Sequence, residues 1–252
     1  MMMLIAWIST ALAMTPGGFR HDTAAAQDGW RVRDVLIYTP DVEIINQITP
    51  RVAKVFGAYG LEAELATTMV TGPGGDAYWG LGNLRTAHSW IIAKEGGATH
   101  RIGAEVLVPV SPTHWRSQAF GSSAQDTLAT TMGQLVYRLS SGGDAPSEFR
   151  VSGGVMQVPS WTTEQQVVFE VAYVHLLPIT DKTGALFEID FALPDQAVLN
   201  LRPLVRFELD GGALDVGAQL PLGHLVTDTW DSSTDGCGFC SVQLLTQYRG
   251  GF

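Results

Sequence analysis

The most constraining feature of the sequence is an alternation of apolar and polar residues that repeats every two positions through most of the chain. It is clearest from Ala197 to Leu209, AVLNLRPLVRFEL, where Arg202, Arg206 and Glu208 all fall at even-numbered positions. Successive side chains of a strand point to opposite faces, whereas a helix would distribute these charges around its axis. The period therefore predicts strands that have one apolar and one polar face.

Ten such segments lie between Val55 and Phe252, and a weaker pair, roughly Arg31–Tyr38 and Val42–Ile48, precedes them. A soluble sandwich or lipocalin-like barrel would also alternate, but its strands are short and turn their apolar face inward. Tilted strands of about 9–11 residues cross a bilayer, and single-chain bacterial barrels have even strand numbers. The sequence predicts an all-β fold, an antiparallel up-and-down transmembrane β-barrel of about 12 strands, with 10 as the alternative.

Composition excludes two other classes of protein. The formal net charge of −10 argues against a nucleic-acid partner, because phosphate binding needs a basic face. After the first 14 positions there is no run of about 18 uncharged apolar residues, which excludes a helical membrane protein.

The first residues, MMMLIAWISTALAM, have the length and apolar character of a signal peptide. An A-x-A-like cleavage sequence ends at Ala13, and a second candidate site follows Ala26. A buried N-terminal helix is the alternative. We expect export, with residues 1–26 as the signal peptide and residues 27–252 as the barrel.

Connections and aromatic residues support the barrel. The two longest connections, SPTHWRSQAFGSSAQD and residues 223–239, fall on the same side of a barrel whose strands alternate in direction. Outer-membrane barrels have short periplasmic turns and long outer loops. Outward aromatic residues gather near the opposite side, as in an interfacial girdle: Tyr59, Trp90, Tyr137, Phe149, Phe187, Phe207, Tyr248 and Phe252.

These features resemble bacterial outer-membrane β-barrels as a class. The resemblance is carried by the alternation and by the final strand, CSVQLLTQYRGGF, which ends in an aromatic residue. In that class the last strand is the signal read by the barrel-assembly machinery, so the resemblance implies recognition through Tyr248 and Phe252 and a place in the bacterial outer membrane. Thr246 and Gly250 depart from the apolar residues usual at such outward positions.

Two shorter motifs give a narrower resemblance. YWGLGNLRTAHSWII and GALDVGAQLPLG resemble strands of the outer-membrane transporter family named after the meta-pathway of phenol degradation. This resemblance implies passage of small compounds, hydrophobic ones among them.

The inward face carries the charged residues. One interpretation is a pore lining, in which facing acids and bases select solutes. The alternative is a pairing network that fills a narrow barrel and stabilises it. The near balance of acids and bases argues against strong charge selectivity. The predicted pore-lining residues are Glu62, Glu64, Arg85, Arg101, Glu105, Arg138, Glu148, Arg150, Glu170, Glu188, Asp190, Arg202, Arg206, Glu208, Asp215 and Arg249.

The motif CGFC places Cys237 and Cys240 at the outer start of the last strand. Such a pair can be a redox motif, half of a zinc site or a local disulfide. A thioredoxin-like site needs a βαβ context and zinc needs further ligands, whereas an exported protein favours a disulfide. We expect a disulfide between these cysteines and no metal site.

Catalytic motifs are absent from the sequence. There is no G-x-S-x-G elbow. His114 and His224 could meet Ser117, Ser122 or Asp228 in the outer loops, which would be the layout of a lipid hydrolase. We expect instead a non-enzymatic channel or transporter for passive passage of small solutes, without a cofactor and in contact with outer-membrane lipid. A closed structural barrel and a lipid-modifying enzyme are the alternatives.

Overall fold

The structure, a computed structural model, describes residues 29–39, 43–71, 77–110, 131–141, 145–157, 165–193, 198–224 and 243–250. The predicted signal peptide lies outside these residues. The described strands are β1 (Gly29–Thr39), β2 (Glu43–Phe56), β3 (Tyr59–Thr71), β4 (Ala77–Glu95), β5 (Ala98–Pro109), β6 (Thr131–Ser141), β7 (Ser147–Gln157), β8 (Gln166–Thr180), β9 (Thr183–Leu193), β10 (Val198–Leu209), β11 (Gly212–His224) and β12 (Gln243–Gly250).

Each strand pairs antiparallel with its neighbours in the chain, and β12 pairs with β1, so the sheet is a closed barrel. The predicted all-β, up-and-down fold with 12 strands is confirmed, and the alternative of 10 strands is wrong. Among the described residues, no helix has the length and hydropathy needed to cross a membrane.

Glycine sets several of the short turns. Gly57, Gly96, Gly97 and Gly211 have φ values of 63°, 57°, 83° and 86°, a backbone conformation that costs glycine little. These turns join β2 to β3, β4 to β5 and β10 to β11 at one end of the barrel, hereafter the turn end. β1 begins and β12 ends there too, whereas β5 and β11 end at the opposite end, hereafter the loop end.

The second strand is longer than predicted. The sequence pattern indicated Val42–Ile48, but β2 runs over Glu43–Phe56. Two polar residues, Asn46 and Lys54, interrupt its outward series, and this obscures the two-residue period. The segment that was expected to begin at Val55 is divided by the turn at Gly57.

The polarity of the barrel is opposite to that of a soluble sandwich. Leu135 and Val167 face outward and are 67% and 74% exposed. Arg33, Arg150 and Arg202 face inward and rank among the largest fully buried side chains. Apolar groups thus cover the outside and charged groups fill the inside, as expected for a barrel surrounded by lipid.

Pro203 lies in the middle of β10, where a proline removes a ladder hydrogen bond. It keeps a register partner on β9, Phe187, while the ladder to β11 passes from Leu201↔Leu220 to Leu204↔Gly217. A Cβ on Gly217 would lie 2.2 Å from the Pro203 carbonyl oxygen. The glycine therefore permits the close approach of the two backbones beside the proline.

The barrel closes where β12 meets β1, over the register from Trp30↔Gly250 to Ile37↔Gln243. A Cβ on Gly250 would lie 2.9 Å from the Trp30 ring, and the Trp30 and Tyr248 ring centroids are 5.3 Å apart. Gly250 therefore leaves room for the indole ring at the seam, which accounts for a glycine at this outward position. Phe252 lies outside the described residues.

We expect Gly103→Ala to destabilise the barrel, because a Cβ at this position in β5 would lie 2.4 Å from the His88 backbone oxygen. The expected loss in the free energy of unfolding is about 1–3 kcal/mol, measured by urea titration in detergent micelles. Gly133→Ala is the matched control, since a Cβ there meets nothing within 4 Å. Equal stability of the two variants would contradict the close strand contact.

Candidate functional site: the lumenal charge network

The lumen holds nearly all of the predicted pore-lining side chains. Fourteen of the sixteen are buried, and Arg249 keeps 22% of its side-chain surface exposed at the turn end. Glu208 has an inward position by register but an exposed side chain, because it lies beside the turn after β10. This set of buried ionisable groups is hereafter the lumenal charge network.

The sequence analysis missed three members of this network. Arg31, Arg33 and Arg51, on β1 and β2, are buried on the same face. The alternation of Arg31 and Arg33 in RVRDVLIY was the available signal, whereas the predicted second strand ended before Arg51. All ten arginines of the described residues are thus lumenal by register, while Lys54, Lys94 and Lys182 are exposed. Arginine suits this role because its planar fork matches carboxylates.

Glu105 on β5 is the acceptor at the centre of the network. Its Oε1 accepts from Arg138 Nη2 at 3.0 Å, and its Oε2 accepts from Gln134 Nε2 at 2.9 Å and Arg150 Nη2 at 3.2 Å. Arg85 Nη2 lies 3.6 Å from the same Oε2. One carboxylate therefore links strands on both sides of β5.

Other ion pairs join strands that are not neighbours. Arg138 Nη1 on β6 lies 3.7 Å from Glu62 Oε1 on β3, and Arg33 on β1 pairs with Glu64 on β3. These two contacts reach across the lumen rather than along its wall. Arg85 on the neighbouring strand β4 also lies near the Glu64 carboxylate, with its Nη1 at 3.9 Å.

A second cluster surrounds Arg202 on β10. Its Nε donates to Gln219 Oε1 at 2.7 Å and its Nη1 to Glu188 Oε1 at 2.5 Å, and it also pairs with Asp190. Asn200 Nδ2 donates to Asp190 Oδ2 at 3.1 Å. The second cluster thus spans β9, β10 and β11.

A third cluster surrounds Asp215 on β11, near the turn end. Arg206 donates to both carboxylate oxygens, from Nε at 2.7 Å and from Nη2 at 3.0 Å. Gln247 Nε2 and Arg249 Nη2 donate to Oδ2 at 2.8 Å and 2.7 Å. The carboxylate has four donors, so its removal would leave several buried groups without their acceptor.

Three arginines face one another on adjacent strands. Arg101 on β5 is opposite Arg138 on β6, which is opposite Arg150 on β7. Like charges directly opposite each other destabilise a sheet. Carboxylates around the row offset this repulsion, Glu105 among them, so the row depends on the acids of the network.

The network fills the middle of the lumen. Glu170, Glu188 and Asp215 have no exposed surface, although each belongs to the face that a pore would present to water. Four apolar side chains line one wall closer to the loop end and are buried as well: Leu107, Met132, Met156 and Val168. The buried side chains of the described strands therefore fill the interior between them.

The described residues contain neither a candidate metal site nor the cysteine pair. Within the described strands and turns, no group of three or more His, Cys, Asp or Glu side chains could hold a metal ion. Cys237, Cys240 and His114 lie outside the described residues, and the side chain of His224, in β11, is likewise not described. The predicted disulfide and the hydrolase alternative stay predictions.

Two solved porin structures have a fold similar to that of this chain. The chain is similar to the NanC porin, with a TM-score of 0.58 and 9% identity, covering 88% of this chain and 99% of that one. It is also similar to the KdgM porin in complex with disordered oligogalacturonate, with a TM-score of 0.53, 6% identity and the same coverage. At these identities the likeness shows the fold alone. No protein-family model and no curated protein matches the chain, so the resemblance to the meta-pathway family receives no support.

We expect Asp215→Ala to lower the free energy of unfolding by about 3–5 kcal/mol, because it leaves buried arginines without their carboxylate. Guanidinium unfolding in detergent measures the loss. Glu208→Ala removes an exposed acid from the neighbouring strand and serves as the control. Comparable losses of stability in the two variants would contradict a special contribution of the Asp215 contacts to the free energy of unfolding.

Proposed function

We propose that the chain is a channel of the bacterial outer membrane for passive passage of small polar solutes. The observation that carries the proposal is the lumenal charge network inside a closed barrel of 12 strands. The apolar outer surface supports the membrane location, since exposed apolar side chains such as Leu135 and Val167 need lipid around them.

The girdle at the turn end supports the same location. Trp30, Tyr59, Trp90 and Tyr248 lie there, on the outward face of the strands. Indole and phenol rings favour the boundary between lipid and water, where their apolar bodies contact lipid and their polar atoms reach the headgroups. The turn end would therefore face the periplasm, in line with its short turns.

The polar lumen favours a channel over a purely structural barrel. A buried ion pair is weak support for stability, because apolar residues of similar volume are often as good or better. If the interior only had to be filled, ten lumenal arginines would give no gain in stability over apolar side chains of similar volume. A route for polar solutes does need such groups, because their hydrogen bonds to the solute replace those that the solute made to water outside the barrel.

Solutes would cross by exchanging contacts with the network. The carboxylates of Glu105 and Glu170 and the guanidinium groups of Arg85 and Arg150 are linked to one another on β4, β5, β7 and β8. A solute with hydroxyl, amide or charged groups can take the place of one partner at a time. The network therefore acts as a constriction with low conductance.

Polar rather than hydrophobic solutes fit this lumen. An apolar solute would have to displace ion pairs without replacing them, and the apolar wall at Leu107 and Met132 covers only part of the circumference. The KdgM porin is known in complex with oligogalacturonate, and this supports small polar solutes for a barrel of similar fold. The near balance of acids and arginines predicts weak charge selectivity.

We also propose that the barrel-assembly machinery recognises the final strand through Tyr248 and Phe252, as in the class that the sequence resembles. Outer-membrane lipid is the second partner. The enzymatic alternative has no supporting geometry on the described strands.

Glu105→Gln is expected to raise the current through the refolded protein in planar bilayers by roughly twofold or more and to shift its preference toward anions. The substitution removes the carboxylate charge that holds Arg138 and Arg150. Glu208→Gln removes an exposed acid from the rim and should change neither property. If the native protein gave no current above background, this would favour the closed structural barrel and contradict the proposed channel.

A further inference from the structure

The outward surface has a cationic patch at the turn end that the channel does not use. The chain has a net charge of −10, yet its lysines, Lys54, Lys94 and Lys182, all lie at the turn end and are exposed. One of them, Lys54, lies on the outward face near His88 of the aromatic girdle. This distribution places the exposed cations of the described strands where phospholipid headgroups would begin.

Lys54 and His88 flank one position on the outward face. Lys54 on β2 is in register with Leu61 on β3, and Leu61 is in register with His88 on β4. The three residues form a row across neighbouring strands, with strands about 4.8 Å apart. A tetrahedral anion above Leu61 can therefore accept from the ammonium group on one side and the imidazole on the other.

Tyr59 holds the imidazole of His88 in place. The Tyr59 hydroxyl lies 2.6 Å from His88 Nδ1, and the Tyr59 ring packs against Trp90 with centroids 5.4 Å apart. When the phenol donates to Nδ1, the neutral ring carries its proton on Nε2. Protonation of the ring leaves a proton on Nε2 as well, so Nε2 can donate in both states.

His100 repeats this arrangement on the next pair of strands. The Tyr137 hydroxyl lies 2.8 Å from His100 Nδ1, with ring centroids 6.2 Å apart. Lys94 on β4 is in register with Thr99, so it lies on the opposite face of the sheet and does not flank this histidine. Among the described strands, only the position between Lys54 and His88 therefore combines a lysine with a histidine that is bonded to a tyrosine.

We propose that this face binds the phosphate group of a phospholipid headgroup in the periplasmic leaflet, through Lys54 and His88. The proposal rests on the membrane location and not on conduction. Lipid is the occupant because the residues between and around the cations, among them Leu61 and Trp90, are exposed and apolar. A bound headgroup would keep its acyl chains on this apolar surface.

Native mass spectrometry of the refolded protein in dodecyl maltoside, which has no phosphate, tests the proposal. Phosphatidylglycerol is added alongside a diglucosyl lipid that has the same acyl chains. The native protein should retain the phospholipid in preference to the glycolipid. Lys54→Gln with His88→Gln should lower phospholipid retention by about fivefold or more.

The matched control is Lys182→Gln with His175→Gln. It makes the same change of charge at the same end, where His175 stacks on Tyr173 with centroids 6.2 Å apart and no histidine–tyrosine hydrogen bond is described. Its phospholipid retention should stay at the native level. A shift in gel mobility on heating confirms that each variant is folded.

Three outcomes would overturn the proposal: equal loss in both double variants, equal retention of phospholipid and glycolipid, or full displacement of the lipid by millimolar inorganic phosphate. The last would identify a free-anion site. A protein that retains the phospholipid selectively but conducts no current would support the lipid site and contradict the channel.

Discussion

Closure of the sheet is the constraint on which the rest of this structure depends. Hydrocarbon offers no water to an exposed strand edge, so backbone donors and acceptors must be satisfied within the wall. β12 meets this requirement by pairing with β1, and the Trp30 ring occupies the space left by Gly250 at the seam. Once the ring is closed, every second residue of a strand has to face lipid and the others have to face the lumen.

The charge distribution follows from this division. Arginine, whose planar fork suits carboxylates, fills the lumen, where Glu105 and Asp215 each accept from several donors. Lysine, a flexible cation that reaches toward water, stays at the turn end. The arginines thus lie inside the barrel, where we propose the solute route, and the lysines lie at the turn end, where we propose the lipid contact.

The strand number and most lumenal residues could be predicted from the sequence, because the two-residue period relates position directly to face. The prediction failed where that relation weakens. In β2, the polar residues Asn46 and Lys54 on the outward face interrupted the alternation, so the predicted strand ended before Arg51. Glu208 has an inward position, but it lies too close to a turn to be buried. Contacts between distant strands, such as Arg138 with Glu62, depend on the barrel's curvature and could not be read from spacing.

The central claim is that the apolar face contacts lipid while the polar face is enclosed. Nitroxide labels placed singly along β10, in protein whose native cysteines are replaced by serine and which is reconstituted in bilayers, test it most directly. The account predicts that oxygen strongly increases the relaxation rate of labels at Leu199, Leu201 and Val205, and that a water-soluble nickel chelate increases it only weakly. Labels at the positions between them should show the opposite preference or no response to either reagent. Strong relaxation by nickel at these three positions would contradict it, because the apolar face would then be in water.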